Sequence, residues 1–302
     1  MHFSSNVLRK DSAQATPASA SATLAERLGY ARESRLLIVN CDDFGSSRSA
    51  NRAIERAIRD GCASSTTLMV PCPWARIAAR SCGHLDVGVH LTLTSEYPAY
   101  RWPSLTAGAS LHDNDGYLPM TAQEVWARAD LDEVERECRA QIDRALEWGV
   151  DVTHLDSHMD ILQLDRHYFA LYMKLAKSYR LPVRLRRGRM VSPFSPIRKS
   201  TLDAQGIITT DHFISPPWGE PARPLLVARL TKLNPGVTEF SAHPVEDGDE
   251  LRAYDTEFSD IRAADAHCLM EPEIRELMKQ RGVHLLGFKP LRDLMRAEGL
   301  AS

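Results

Sequence analysis

The 302-residue chain lacks any Cys-x-x-Cys pair, although it carries six cysteines, at positions 41, 62, 72, 82, 138 and 268. Thiols scattered in this way argue against a thiolate metal site or a disulfide framework, and they suit a reducing cytoplasm. No run of about 18 apolar residues occurs, so no helical membrane span is expected. Charge of one sign is also missing. The formal net charge is −3, which leaves no electrostatic footprint for nucleic acid or an anionic membrane. No Gly-x-Gly-x-x-Gly fingerprint is present, which disfavours a nicotinamide enzyme. The stretch Met1 to Thr23 is rich in Ser, Ala and Thr and has no apolar core of the kind a secretory signal needs. Residues 1–33 are therefore expected to form a disordered leader, with a short helix over Leu24 to Ala31, ahead of a single domain over residues 34–302.

What is present begins with Leu36-Leu37-Ile38-Val39-Asn40-Cys41-Asp42-Asp43-Phe44-Gly45. Four consecutive aliphatic residues are too few for a buried helix and fit a strand covered on both faces. The strand ends in adjacent carboxylates. Neighbouring side chains inside a strand point to opposite faces, but at a strand end the chain is leaving the sheet and both can turn toward one cleft. Two like charges so close call for something positive between them, and a divalent cation is the usual answer. The plainer reading is a turn in which one aspartate caps the next helix.

Alternation and periodicity carry the rest. Ser46 to Asp60 reads as a helix capped by Ser47 or Ser49, and Thr66 to Val70 as a strand. Trp74 to Arg80 reads as a short helix. Asp86 to Thr94 alternates cleanly, with Val87, Val89, Leu91 and Leu93 on one face and Gly88, His90, Thr92 and Thr94 on the other. His90 thus lies on a polar face between small residues that leave room around its ring. Residues 95–120 are long for a connection and rich in aromatics, a pattern of lids and substrate walls. Tyr97 and Trp102 are candidate sugar contacts there, and Arg184 is a third candidate further on; pinning of the loop to the body is the competing role for the aromatics. A helical pattern runs from Thr121 to Trp148. Strands follow at Val150 to Leu155, Pro182 to Leu185, Ile207 to Thr210, Val237 to Ala242 and His284 to Phe288. Helices are expected over Arg166 to Tyr179, Pro224 to Lys232 and Glu271 to Arg281, and again from Pro290. Strand then helix recurs seven or eight times, which predicts an α/β fold, a mostly parallel barrel with its site at the strands' C-terminal ends.

Polar groups cluster at those ends: Asp42 and Asp43, His90, His154 with His158, and His243. A spacing of four puts His154 and His158 on one face of a strand or helix, with Asp156 between them if the segment is extended. Imidazole with carboxylate suits zinc or another first-row metal better than calcium. Any one histidine alone reads more readily as a structural residue; their joint place at strand termini is what favours a site.

These blocks resemble the YdjC-type carbohydrate deacetylases, relatives of the polysaccharide deacetylases that include chitooligosaccharide deacetylase. The likeness runs through Asn40-Cys41-Asp42-Asp43-Phe44-Gly45, Ser65 to Val70, Gly88 to Thr94 and Thr153 to His158, and spans about Arg35 to Leu294. The resemblance implies a distorted (β/α) barrel of seven or eight strands and a divalent ion, magnesium or zinc, held by Asp43, His90 and His158. It makes Asp42 the general base and His243 the general acid, with His154 and Asp156 as supporting groups or further ligands. Where members often carry further histidines, this chain has Asp160 and Leu162, and Cys41 stands where alanine is common. The implied reaction is hydrolysis of an acetyl group from an N-acetylated sugar or oligosaccharide. Another ester or phosphoester hydrolase on the same barrel, or a sugar-binding relative without catalysis, are the alternatives. The implied partner is a carbohydrate, with no nucleic acid and no membrane; self-association is left open.

Overall fold

A computed structural model describes residues 22–186 and 199–299 of the chain. Seven parallel strands curve into a half-barrel: β1 (Arg35–Phe44), β2 (Ser65–Leu68), β3 (Val87–Leu91), β4 (Val152–Ser157), β5 (His212–Ile214), β6 (Gly236–Ala242) and β7 (Val283–Leu285). The order across the sheet is β4-β3-β2-β1-β6-β5, and β7 pairs with the first residues of β1. Every pairing is parallel, so the C-terminal ends of all the strands share one rim.

β1 is central, buried from Leu36 onward, and its alternation sorts two environments. Leu37, Val39 and Cys41 pack outward into the large core shared with the covering helices. Leu36 and Ile38 face inward and pack with Val237, Phe288 and Leu291. Further up the same inward face the residues become polar: Glu239 of β6 in register with Ile38, Ser241 in register with Asn40, and then Asp42. The barrel interior is therefore apolar at its base and polar at its rim.

Among the glycines that close approach requires, Gly88 and Gly45 lie beside the polar strand ends. A Cβ on Gly88 would lie 2.5 Å from the His154 ring, so the space expected around His90 is filled on one side by that imidazole. A Cβ on Gly45 would lie 2.8 Å from the Ala75 backbone, at φ +91°. Ser47 caps the Arg48–Arg59 helix through the Ala50 N–H at 3.0 Å.

Several boundaries differ from expectation. The Thr121 to Trp148 pattern is two helices, Ala122–Arg128 and Leu131–Glu147, because Asp130 accepts the Asp132 and Glu133 N–H groups and starts a new helix. Residues 182–185 form only an isolated bridge to β4 at Val183, and the strand expected at residues 207–210 is replaced by β5 a few residues later. Helices at Asp249–Tyr254 and Ser259–Met270 had no counterpart in the sequence reading. At the N-terminus Leu24 and Ala25 of the Leu24–Arg27 helix are buried, and Arg27 pairs with Glu298, so the folded unit starts ahead of residue 34. The leader expected before residue 22 and the basic segment at residues 187–198 lie outside the described residues.

Candidate metal centre

Adjacent aspartates in a regular strand would face apart. Here the β1–β2 register shifts between Cys41 and Phe44, and Asp43 adopts the left-handed region at φ 68°. A bulge with a residue in that conformation re-aims the side chain at some backbone cost. Both carboxylates therefore open into one cleft, and both are buried.

Asp43 meets two histidines there. Its Oδ1 lies 3.5 Å from His90 Nε2 and 3.5 Å from His158 Nδ1, and the two ring nitrogens lie 3.2 Å apart. Atoms bound at ~2.1 Å to a common ion, at angles between octahedral and tetrahedral, stand roughly 3.0–3.4 Å from one another. The triangle matches that spacing. Asp43 Oδ1 is buried and has no hydrogen-bond partner among the described residues, a costly arrangement for a carboxylate oxygen unless an ion takes the place. The three atoms fit a divalent cation.

Neighbours prepare each imidazole for that role. His90 Nδ1 lies 2.8 Å from Asp156 Oδ2, in ion-pair rather than well-aligned hydrogen-bond geometry, which leaves Nε2 to face Asp43. His158 Nε2 lies 3.1 Å from both oxygens of Glu96, which leaves Nδ1 inward. A carboxylate behind a histidine in this way fixes its tautomer and raises its basicity toward a metal. Burial pushes the Asp43 carboxyl up, but His158, His243 and Arg262 outweigh it and hold the group well below the usual range. Burial pushes His158 down, yet Glu96 and Asp43 raise it to about 10. The pocket demands a cation, proton or metal, at this point.

Asp42 faces the other side of the cleft and is held by donors. Arg184 Nη2 and Asn40 Nδ2 each donate to Oδ1 at 2.7 Å, and Arg184 Nη1 donates to Oδ2 at 2.7 Å. His243 Nε2 lies 3.5 Å from Oδ2, with its side chain 33% exposed. Asp265 accepts the His243 backbone N–H at 3.2 Å and so sets the start of that residue's loop.

The three expected substrate contacts are engaged within the protein. Trp102 is 1% exposed, and its Nε1 donates to Thr94 O at 2.9 Å, so it pins the long loop to the body. Arg184 is buried, with four of its five N–H donors committed to Asp42, Asp156 and Glu239. Tyr97 turns inward: its OH accepts from Arg262 Nη2 at 2.8 Å and its ring meets Tyr254 edge-on. His154 also stands away from the triad. It stacks on Phe288 at 3.7 Å, burial holds it well below the usual histidine range, and it belongs to neither cluster of potential ligands. Asp156 lies against His90, within a second cluster with Asp42.

The sequence reading missed Glu96, Glu239, Asp265 and Arg262. Arg262 Nη1 donates to Asp43 Oδ2 at 3.0 Å, and its Nε donates to Asp255 at 2.6 Å. The buried residues of its helix are Ser259, Arg262, Asp265, Cys268 and Leu269, polar over the first two turns. Polar residues at helical spacing leave no apolar periodicity to read, although the spacing itself was there.

Comparison with known proteins gives the family and the fold. The family model described as YdjC-like protein matches residues 36–280. A carbohydrate deacetylase of Thermus thermophilus is 34% identical over 282 residues, covering 90% of this chain and 99% of that protein. A chitooligosaccharide deacetylase of Proteus mirabilis is 31% identical over 264 residues, covering 85% of this chain and 98% of that protein. In fold, the chain is similar to the crystal structure of a proposed cellobiose-phosphate cleavage protein from Enterococcus faecalis, with a TM-score of 0.73 at 24% identity, over 85% of this chain and 99% of that one.

Proposed function

This chain belongs to the YdjC-like family, and on that premise we propose that it is a metal-dependent hydrolase that removes the acetyl group from an N-acetylated sugar or oligosaccharide. The observation that carries the reading is the buried triangle of Asp43, His90 and His158, which meets the spacing and charge of a cation site. The names of the relatives supply the substrate class. Two imidazoles and one carboxylate favour zinc over magnesium, which prefers an all-oxygen shell. A divalent ion there would contribute Lewis acidity, making a water acidic enough to lose a proton near neutral pH.

The remaining roles fall to side chains of this chain. A carboxylate offers about two acceptor positions per oxygen. On Asp42, Arg184 and Asn40 fill those of Oδ1, while Oδ2 receives only Arg184 Nη1 at full hydrogen-bond distance. Oδ2 therefore keeps an acceptor position facing the cleft and serves as general base, taking the proton of the water as its oxygen adds to the acetyl carbon. Arg184 keeps that carboxylate from turning. His243, part exposed beside Oδ2, gives a proton to the amine nitrogen as the C–N bond breaks, releasing acetate and a free amino sugar. A reducing compartment such as the cytoplasm suits the six cysteines, all buried free thiols. No helix among the described residues is long and apolar enough to cross a membrane.

Asp42→Asn tests the division of labour. It is expected to bind the ion as the parent protein does while acetate release falls by about 10²–10⁴-fold, the usual size of a lost general base. Undiminished acetate release would remove Asp42 from the mechanism.

A further inference from the structure

Trp218 is 73% exposed, more than any other large apolar side chain among the described residues. A single exposed hydrophobic residue is ordinary in itself; its supports are what set this one apart. Phe258 holds one side of the indole, with ring centroids 4.9 Å apart at 68°. The connection from β5 carries Pro216, Pro217, Gly219 and Pro221 around it, and prolines fix φ and so limit the loop's freedom.

Both supports lead to the metal centre. Phe258 immediately precedes the Ser259–Met270 helix. Arg262, one turn or roughly 6 Å further along, donates to Asp43. At the loop's other end, Asp265 accepts the Ala222 N–H at 2.7 Å through one oxygen and the His243 N–H at 3.2 Å through the other. One carboxylate thus ties the base of the Trp218 loop to the backbone of the candidate general acid. The loop follows the C-terminal end of β5, which puts the indole on the rim that carries the cleft.

We infer that Trp218 is a stacking platform for the sugar unit next to the one whose acetyl group is removed, so that the ligand is an N-acetylated oligosaccharide of at least two units. A pyranose presents a face of C–H groups, which suits the electron-rich face of an indole, and a rigid aromatic loses little entropy on binding. The inference rests on the deacetylase reading for the identity of the reacting unit.

Isothermal titration of the full chain with N,N′-diacetylchitobiose and with N-acetylglucosamine tests it, alongside an acetate assay on the same samples. The parent protein should bind the disaccharide more tightly than the monosaccharide. Trp218→Ala should weaken disaccharide binding about tenfold, a typical loss for a buried aromatic contact, and shrink that preference, while Trp218→Tyr should recover most of it. The residue is exposed, so neither change threatens folding. Equal disaccharide affinity in Trp218→Ala and the parent protein, or no binding of either sugar by the parent protein, would overturn the platform. Disaccharide binding that depends on Trp218 without acetate release would uphold the platform and count against deacetylation instead.

Discussion

Asp42 and Asp43 are neighbours in sequence, yet one is fixed by a guanidinium and the other points an unpartnered oxygen at two imidazoles. The adjacent carboxylates were legible in the sequence, as was the demand for positive charge between them. Arg184 answering one of them was not, because nothing in a run such as Pro182 to Leu185 says which carboxylates an arginine will meet. Its surroundings carry a testable consequence. Asp42, Asp156 and Glu239 all touch Arg184, three carboxyls around one cation. Burial, helped by Asp156 and Asp42, raises Glu239 from 4.5 to about 8 against the pull of Arg184. With its folded pKa above the unfolded one, the stability tied to its protonated form is complete below about pH 4.5 and is lost as pH rises through about 8. Glu239→Gln keeps a neutral group of the same shape. Denaturant melts across that range should show the parent protein losing ground to the variant as pH rises; parallel curves would contradict the assignment.

At the scale of elements, the long aliphatic or alternating strands were readable because burial on one or both faces writes itself into the residue pattern. β5 spans three residues, too short for a period to register, whereas the strand expected at His284 to Phe288 overlaps β7. The Ser259–Met270 helix escaped notice for a different reason: its inward stripe is polar over the first two turns, and it exists to place Arg262 and Asp265. Arg262 reaches Asp43, Asp255 and Tyr97 at once, a fork that a lysine cannot reproduce. Arg262→Lys retains the buried charge and should keep the fold, as judged by its thermal melt. Its ion affinity should fall about 10–100-fold, the usual loss when a supporting contact behind a metal ligand is removed. Unaltered affinity would mean that Asp43 needs no such support.

For the whole molecule, a half-barrel of parallel strands brings the ends of β1, β3, β4 and β6 to one rim, which gathers Asp42, Asp43, His90, His158 and His243 from across the chain. That convergence followed from the strand-helix rhythm. The direction of Trp102 and Tyr97 did not, because whether an aromatic of a long loop faces ligand or core depends on how the loop folds back. Ion binding to the parent protein, Asp43→Asn and His90→Ala, measured by metal analysis and calorimetric titration with zinc, tests the central claim most directly. One ion per chain in the parent protein, with affinity at least ~100-fold lower in each variant, is the predicted result; variants that hold the ion as tightly as the parent would contradict it.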